Sequence, residues 1–510
     1  MKSTSSTGKV KKTMHLIGNA GVAALLSGVA GTAVCGAIPP HPGELVFPPL
    51  DFTAPRGEAF RHELPNGVPV YLAPSHEFPL VSITFTFKGG SYLDPADQVG
   101  LGEALGVMIR RGGTETVGAK ELDERLDFLA ANVRSEVKSE ESRVSIDCLK
   151  SNIDEAFALF MDMVRHPGFD ESRLEVYKDE VVEELKQRND RPMRVAMLRL
   201  GMLVYGEGHY AGREATRGSI ESITPEALRG LHGRIFQPGN LIVAATGDFE
   251  EGWMVGKLSE AMAGWEKRER VGDPPAPTKV IEPGLYHAGV AQEDLPQGTA
   301  LVAVRAIRRD DPDAIAMEVM NHILGGSGFT SRITNRVRSD EGLAYAAGTF
   351  LRLNVYYPGM FAAYTMSKNE TVALSLKLIL EEIERIGREA VNEAELRGAK
   401  NAFIEGFPQR FSSKRAMLEV FVDDELTGRE AEYWQRYRDR VGAVTAGEVM
   451  RVARERLAGE GMLILVVGDW EAMKGGDDGR RASMAEFFGG EVTHLPMLDP
   501  LTLEVMEDAR

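Results

Sequence analysis

The segment GLGEALGVM, at residues 100–108, has the small and apolar side chains of a helix that packs closely beneath another element. It follows an alternating apolar stretch and the turn-rich segment GGSYLDPADQ, a setting that suggests an active-site helix. Within this segment only Glu103 has a side chain that can hold a catalytic metal ion. The sequence therefore poses a question: what does an active-site-like helix do without catalytic residues?

The rest of the sequence contains few motifs that would indicate another catalytic or ligand-binding chemistry. No two of the ten histidines lie three or four residues apart, so no helix supplies a pair of imidazole ligands. The one remaining alternative is a metal site assembled from residues that are distant in sequence. The GGSG run at residues 325–328 lacks the Lys-Ser/Thr of a phosphate-binding loop and the third spaced glycine of a dinucleotide site. No G-x-S-x-G nucleophile elbow occurs.

Composition and charge narrow the class of protein. The chain has 510 residues, of which 43% are hydrophobic and 26% charged, and it is long enough for two or more cores. Its net charge of −17 argues against nucleic acid as a partner, because phosphate recognition needs a basic face. Two cysteines, Cys35 and Cys148, cannot form a disulfide framework or a cysteine-built zinc site.

The first residues have the pattern of an export signal. Lys2, Lys9, Lys11 and Lys12 precede an uncharged run of small and apolar residues, LIGNAGVAALLSGVAGTAV. This pattern predicts a signal peptide over residues 1–37. The alternative is a retained membrane anchor, because the apolar run approaches the length of a membrane span.

An internal repeat divides the rest of the chain. ITPEALRGLHGRIFQPGNLIVAATGDFE, from Ile223, matches VTAGEVMRVARERLAGEGMLILVVGDWE, from Val444, and each reads as a Thr-capped helix followed by a buried strand. A Pro-rich polar linker at residues 269–284 separates predicted domains at residues 57–268 and 285–505. Strands alternate with long amphipathic helices in both halves, which predicts an α+β fold of two homologous domains, each a mainly antiparallel sheet packed with helices.

The order of these motifs resembles a known family. GGSYLDP, GLGEALGVMIRRGGT, KDEVVEELKQRNDRP and HGRIFQPGNLIVAATGDF are similar to the N-terminal half of the insulinase/pitrilysin zinc metallopeptidases, and GGSGFTSRITNRVRSDEGLAYAAGTF continues the similarity. The two-domain bacterial members and mitochondrial processing peptidase are the most similar types. The resemblance extends from about residue 57 to 475.

This resemblance implies that the zinc site has been lost. The family's helix carries His-x-x-Glu-His, in which both histidines bind zinc and the glutamate is the general base. Glu103, Gly106 and Val107 occupy the positions of these three residues, so both histidines and the base are absent. Glu184 matches the third zinc ligand, and we expect it to remain as a solvated or salt-bridged relic. The chain is therefore expected to bind no cofactor, with zinc held by a partner subunit.

The second half keeps a different part of the family's active site. Arg338 and Tyr345 have the spacing of an Arg/Tyr pair that, in active members, points at the zinc held by the other domain. Such a pair can donate hydrogen bonds to a scissile carbonyl and to the developing oxyanion. The alternative is a surface arginine and a core tyrosine. Residues Gly325, Gly326, Ser327 and Gly328 match a loop that guides substrate in the non-catalytic subunit of mitochondrial processing peptidase, although a helix-terminating turn explains them equally well.

The resemblance thus implies a non-catalytic subunit of an exported, periplasmic heterodimeric zinc peptidase. The partner would be a zinc-bearing subunit of the same family, and the substrate an unfolded or short peptide. The chain alone would have no metalloendopeptidase activity. The alternative function is a proteolytically inactive scaffold or peptide-binding protein of the same fold.

Overall fold

The computed structural model describes residues 50–291, 295–457, 461–477, 479 and 481–506. The expected signal peptide at residues 1–37, with Cys35, lies outside these residues. Across the described part of the chain, no helix combines the length and the apolar character that a membrane crossing requires. Two six-stranded sheets and the helices that pack on them form the described fold.

Six strands of the first half form one sheet: β1 (Arg61–Glu63), β2 (Pro69–Pro74), β3 (Leu80–Lys88), β4 (Asn132–Val137), β5 (Glu141–Leu149) and β6 (Leu241–Gly247). Their spatial order is β1-β2-β6-β3-β5-β4, with β4 at one edge. Only β2 and β6 run parallel; the other neighbouring pairs are antiparallel. The alternation in β3 buries Val81, Ile83 and Phe85 on one face.

The helices of this half are α1 (Leu101–Arg111), α2 (Ala119–Phe128), α3 (Ile153–Arg165), α4 (Glu171–Lys186), α5 (Pro192–Tyr205), α6 (Arg217–Glu221), α7 (Pro225–Ile235) and α8 (Glu251–Ala261). The core joins them to the sheet: Phe85 of β3 meets Phe160 of α3 edge to face, with ring centroids 5.1 Å apart. Helix α1 packs chiefly against the edge strand β4 and against α7. The active-site-like helix is thus held between a sheet edge and a second helix.

The second sheet contains β7 (Gly284–Ala288), β8 (Gln297–Arg305), β9 (Ala344–Arg352), β10 (Met360–Lys368), β11 (Leu463–Val467) and β12 (Val492–Leu495). Their order is β12-β7-β11-β8-β10-β9, and β9 forms an edge. Parallel pairing is confined to β7 with β11 and β7 with β12. Both described sheets are therefore mainly antiparallel, and the predicted α+β fold of two homologous domains is confirmed.

The helices of the second half are α9 (Ala314–Asn321), α10 (Val372–Arg388), α11 (Glu393–Gly406), α12 (Lys414–Thr427), α13 (Tyr433–Ala443), α14 (Ala446–Arg456) and α15 (Trp470–Lys474). Two segments adopt the wider π-helical turn, His322–Gly326 and Thr334–Asp340. Such turns are rare and are frequently found at functional sites. Both lie between α9 and the edge strand β9, in the part of the chain that carries the GGSG run and Arg338.

The repeat inferred from sequence corresponds to equivalent elements. Helix α7 leads into β6, and α14 leads into β11. Thr224 caps α7 by accepting from the Ala227 N–H, and Thr445 caps α14 by accepting from the Glu448 N–H. Because these signals are local in sequence, they survive in both copies.

The two halves exchange one helix each. Helix α5 of the first half packs on β8 and β11 of the second sheet, where Ala196, Leu200 and Val204 are fully buried. Helix α12 of the second half packs on β2 and β6 of the first sheet, where Leu418 is fully buried and Phe421 nearly so. Each sheet therefore has one face covered by a helix from the other half.

Candidate functional site

The N-terminus of α1 is organised by a buried carboxylate. Asp94 accepts hydrogen bonds from the backbone N–H groups of Gly100 at 3.1 Å and Gly102 at 2.9 Å. These N–H groups would otherwise lack partners at the start of the helix. Burial raises the pKa of Asp94 to about 7, although both hydrogen bonds act to lower it. Asp94 belongs to the turn-rich segment before α1, and no sequence motif marks it as a partner of the helix N-terminus.

Helix α1 packs tightly against β4 at Gly106, the position of the family's general base. A Cβ atom on Gly106 would lie 2.6 Å from the backbone nitrogen of Val137 and 3.0 Å from the carbonyl carbon of Glu136. Carbon atoms do not approach backbone atoms this closely without a shift of one element. The site therefore lacks the base and also the space for a side chain at this position.

The remaining carboxylates do not form a zinc site. Glu184 is exposed on α4, and its Oε1 accepts from Nη2 of Arg194 at 3.0 Å. Burial raises the pKa of Glu103, and the negative charges of Glu184 and Glu214 raise it further. Val107 is half-buried and contributes no donor.

A structural zinc site needs four nitrogen or sulfur ligands, and a catalytic one three protein ligands. Glu103, Gly106 and Val107 supply one carboxylate and no imidazole. Across the described residues, no three histidine, cysteine, aspartate or glutamate side chains converge as a metal site would require. The donor set at α1 and Glu184 does not fit the zinc ion that active members of the family use.

Arg338 and Tyr345 lie together on the surface. The guanidinium carbon of Arg338 is 5.7 Å from the ring centroid of Tyr345 and 4.5 Å from that of Phe329. Tyr345 is 78% exposed and Phe329 is 66% exposed, so neither belongs to the core. We call these three residues the Arg338 patch. Phe329 was not predicted, and its position directly after the GGSG run was the one available signal.

The segment that carries Arg338 is anchored by its other polar residues. Arg332 forms two hydrogen bonds of 2.7 Å with the Glu395 carboxylate. Arg336 donates to Glu381 at 2.8 Å. By contrast, no carboxylate lies within ion-pair distance of Arg338 in the described chain. Its charge is left available on a segment that is otherwise fixed.

A hydroxyl chain ties the same segment to the edge strand β9. Thr334 donates its hydroxyl proton to the Ala347 carbonyl at 2.8 Å, and the hydroxyl oxygens of Ser331 and Thr334 are 3.0 Å apart. Ser331 and Thr334 are both buried. The Arg338 patch therefore rests on a rigid base rather than on a free loop.

The GGSG run combines a structural and an exposed part. A Cβ atom on Gly325 would lie 2.6 Å from the backbone nitrogen of Thr349 in β9, so close packing requires glycine there. Gly328 has φ +62° and faces open space, which suits glycine and turns the chain so that Phe329 reaches the surface. Gly326 is exposed and Ser327 is half-buried. The run both ends a helix and presents a residue of the Arg338 patch.

The fold is that of a peptidase M16 domain pair. The crystal structure of a peptidase M16 inactive domain from Pseudomonas fluorescens superposes with a TM-score of 0.71 at 21% sequence identity, covering 80% of this chain and 97% of that one. The model of the insulinase family (peptidase family M16) matches residues 70–212, and that of the peptidase M16 inactive domain matches residues 222–403. Together they cover more than half of the chain, which therefore belongs to the insulinase family, as its motifs predicted.

The names of two relatives of this chain describe different activities. The "Non-peptidase homolog YmxG" of Helicobacter pylori is 25% identical over 348 residues, which is 67% of this chain and 78% of that protein. The "Probable mitochondrial-processing peptidase subunit beta" of Arabidopsis thaliana is 21% identical over 423 residues, covering 79% of this chain and 77% of that protein. This chain is an insulinase-family member whose His-x-x-Glu-His positions hold no zinc ligand set.

Proposed function

We propose that this chain is the non-catalytic subunit of a heterodimeric zinc peptidase. A zinc-bearing insulinase-family partner would supply the metal and the general base, and this chain would supply Arg338 and Tyr345 to the same active site. The observation that carries the proposal is the contrast between the two halves. Helix α1 has neither ligands nor space for the base, whereas Arg338 is half-buried beside the exposed Tyr345 and has no carboxylate partner in the described chain.

The proposed role of the pair is transition-state stabilisation. The guanidinium of Arg338 and the hydroxyl of Tyr345 would each donate a hydrogen bond to the oxygen of the scissile carbonyl. As that oxygen becomes an oxyanion, both hydrogen bonds strengthen, and donors held in place beforehand need little reorganisation. The anchored π-helical segment, which carries Arg338, and the start of strand β9, which carries Tyr345, would supply that preorganisation. Neither residue transfers a proton in this scheme.

Substrate would be an unfolded or short peptide in an extended conformation. Edge strand β9 offers backbone groups on its unpaired side, and β-strand addition to a sheet edge is a common mode of peptide recognition. Phe329 would add an apolar contact next to the reacting carbonyl. The net charge of −17 argues against nucleic acid as a partner.

The predicted signal peptide at residues 1–37 supports an exported, periplasmic complex, with a membrane-anchored form as the alternative. A subunit of mitochondrial processing peptidase among the relatives supports a role within a two-chain peptidase. The name "Non-peptidase homolog" of another relative instead favours the second candidate function, an inactive scaffold or peptide-binding protein. Both functions predict that this chain binds no zinc.

The test is turnover by the chain combined with a family member that carries His-x-x-Glu-His. Tyr345→Phe removes one hydroxyl and Arg338→Ala one guanidinium, and each is expected to lower kcat about 100- to 1000-fold in an intact heterodimer. Tyr345→Phe should lower kcat and kcat/KM equally, because its hydrogen bond would form only in the transition state.

Two control variants define the background of that assay. Arg388→Ala removes an exposed arginine on α10 that pairs with Glu384, and Glu184→Gln neutralises the relict ligand position. Both are expected to leave turnover within about twofold of the unmodified complex, since neither touches the proposed site. Near-normal turnover of Arg338→Ala and Tyr345→Phe in intact heterodimers would remove the pair from catalysis and leave the scaffold function.

A further inference from the structure

A separate cavity of about 470 Å³ lies between α9 and α13, beside the GGSG run. Its volume is in the range of sites for small molecules. Leu351, Leu353 and Phe403 supply apolar surface, and Gly326 lies at its edge. Neither the zinc-motif positions of α1 nor the Arg338 patch contributes to this cavity, so the proposed peptidase role leaves it unexplained.

On the α9 side of the cavity, side-chain oxygens that can accept hydrogen bonds have no described donor as a partner. Glu318 lines it, yet within the described chain no donor forms a hydrogen bond with its carboxylate and no cation lies within 4 Å. Burial raises the pKa of Glu318, and the charges of Arg410, Arg429 and Arg440 act in the opposite direction. One turn further along α9, the side-chain oxygen of Asn321 is buried without a hydrogen-bond partner. Unsatisfied polar groups of this kind are rare in native proteins.

The facing side of the cavity presents guanidinium groups. Arg410 lies over Trp434 at 5.1 Å and over Tyr437 at 5.9 Å, and it makes no ion pair with a described carboxylate. Arg309 donates to the Thr427 hydroxyl at 2.7 Å and likewise has no described carboxylate within 4 Å. The aromatic rings contact the face of the Arg410 guanidinium, and its N–H groups lie at the rim of that plane, where no described carboxylate pairs with them.

The two sides select against ligands with a single charge. A simple anion would be attracted by Arg309 and Arg410 but repelled by Glu318. A simple cation would be attracted by Glu318 but repelled by the two arginines. A dipolar molecule satisfies both sides at once, and charge-assisted hydrogen bonds are the stronger kind. The remaining apolar surface, from Leu351, Leu353 and Phe403, would contact an uncharged side chain.

We propose that this cavity binds a free α-amino acid with an aliphatic or aromatic side chain. Glu318 receives the α-ammonium group, Arg410 and Arg309 receive the α-carboxylate, and the apolar side chain lies against Leu351 and Phe403. This site is independent of the zinc-bearing partner and of the Arg338 patch. It belongs to the chain alone and can be measured without any peptidase activity.

The first experiment is calorimetric titration of the purified full chain with L-leucine and L-phenylalanine at neutral pH. N-acetyl-L-leucine lacks the ammonium group, L-leucinamide lacks the carboxylate, and inorganic phosphate is the anion control. Each analogue is expected to bind about 10- to 100-fold more weakly than L-leucine, because each loses one charged hydrogen-bonding group. Equal binding of L-leucine and N-acetyl-L-leucine, competition by phosphate, or no binding of either amino acid would overturn the proposal.

Three variants assign the two ends of the ligand. Glu318→Gln should weaken L-leucine about 10- to 100-fold and leave the weak binding of N-acetyl-L-leucine unchanged, whereas Arg410→Gln should weaken both. Arg436→Gln is the matched control, since Arg436 lies on α13 in ion pairs with Glu430 and Glu432. Thermal unfolding of each variant monitors the fold. Loss of binding in Arg436→Gln, or retained binding in Glu318→Gln, would refute the assignment of the two ends.

Discussion

The contact between α1 and β4 predicts that one conservative substitution has an effect opposite to its usual sign. Replacing glycine by alanine inside a helix normally stabilises it, by about 1 kcal/mol, because alanine has the higher helix propensity. At Gly106 the added methyl group would lie 2.6 Å from a backbone nitrogen of β4. Overpacking costs about 1–3 kcal/mol, and a backbone contact cannot be relieved by rotating a side chain. Gly106→Ala should therefore lower the free energy of unfolding by up to about 2 kcal/mol.

A matched control exists on another helix. Gly398 lies inside α11, is exposed, and has no atom within 4 Å of the position its Cβ would take. Gly398→Ala should show the ordinary gain of about 0.5–1 kcal/mol. The same chemical change thus has opposite expected signs at two helical positions, separated by about 1–3 kcal/mol, the cost of overpacking at Gly106.

Urea denaturation followed by far-ultraviolet circular dichroism measures both variants against the unmodified chain. The transition midpoint should fall for Gly106→Ala and rise for Gly398→Ala, with similar slopes. A rise of equal size for both would mean that α1 does not contact β4 closely, and the reasoning about the closed site would fail. If the contact holds, Gly106→Glu should destabilise the chain more than Gly106→Ala, so that restoring the family's base would oppose folding.

Further predictions concern the same helix, the exchanged helix and the metal. Burial raises the pKa of Asp94 from 3.8 to about 7, so Asp94 holds a proton more tightly in the folded chain than in the unfolded chain. The stability that this bound proton contributes should therefore be lost as the pH rises from about 4 to about 7. Its size is up to about 4 kcal/mol, and Asp94→Asn should flatten the corresponding part of a stability–pH profile measured by denaturation. Leu418→Ala should lower the free energy of unfolding by about 2–5 kcal/mol, since Leu418 is fully buried against the first sheet, and an unchanged midpoint would contradict the packing of α12. Elemental analysis of the purified chain should find less than stoichiometric zinc, and one tightly bound zinc ion per chain would contradict the absence of a ligand set at α1.

Sequence reasoning succeeded where the signal is local. The Thr-capped helix and buried strand recur with matching spacing, so α7 with β6 and α14 with β11 could be placed without a structure. These features depend on short-range periodicity, capping and chemistry, which a single sequence states plainly. The loss of the zinc site at Glu103, Gly106 and Val107 was inferred from the resemblance to the family, and it stays a prediction.

Long-range packing was beyond the same reasoning. The sequences of α5 and α12 have only weak helical periodicity, and no sequence pattern tells which sheet each helix covers. The closure of Gly106 on β4 is a distance between elements that are about thirty residues apart in sequence, and no spacing rule encodes it. Phe329 has no motif of its own, and its place beside Arg338 depends on the turn at Gly328. Asp94 reads as an ordinary turn residue until its two hydrogen bonds are seen.

The helix exchange has a consequence for how the protein is made. While the ribosome extends the chain, one face of the first sheet stays bare after β6 is complete, because α12 is encoded more than 160 residues later. A completed first half would therefore expose Tyr71, Ile242 and their neighbours to water during that interval. Exposed apolar sheet surface of this kind invites association with other chains. Translocation of an unfolded chain, with folding only after both halves have crossed, would avoid this hazard, and a fragment that ends near residue 268 should aggregate when produced alone.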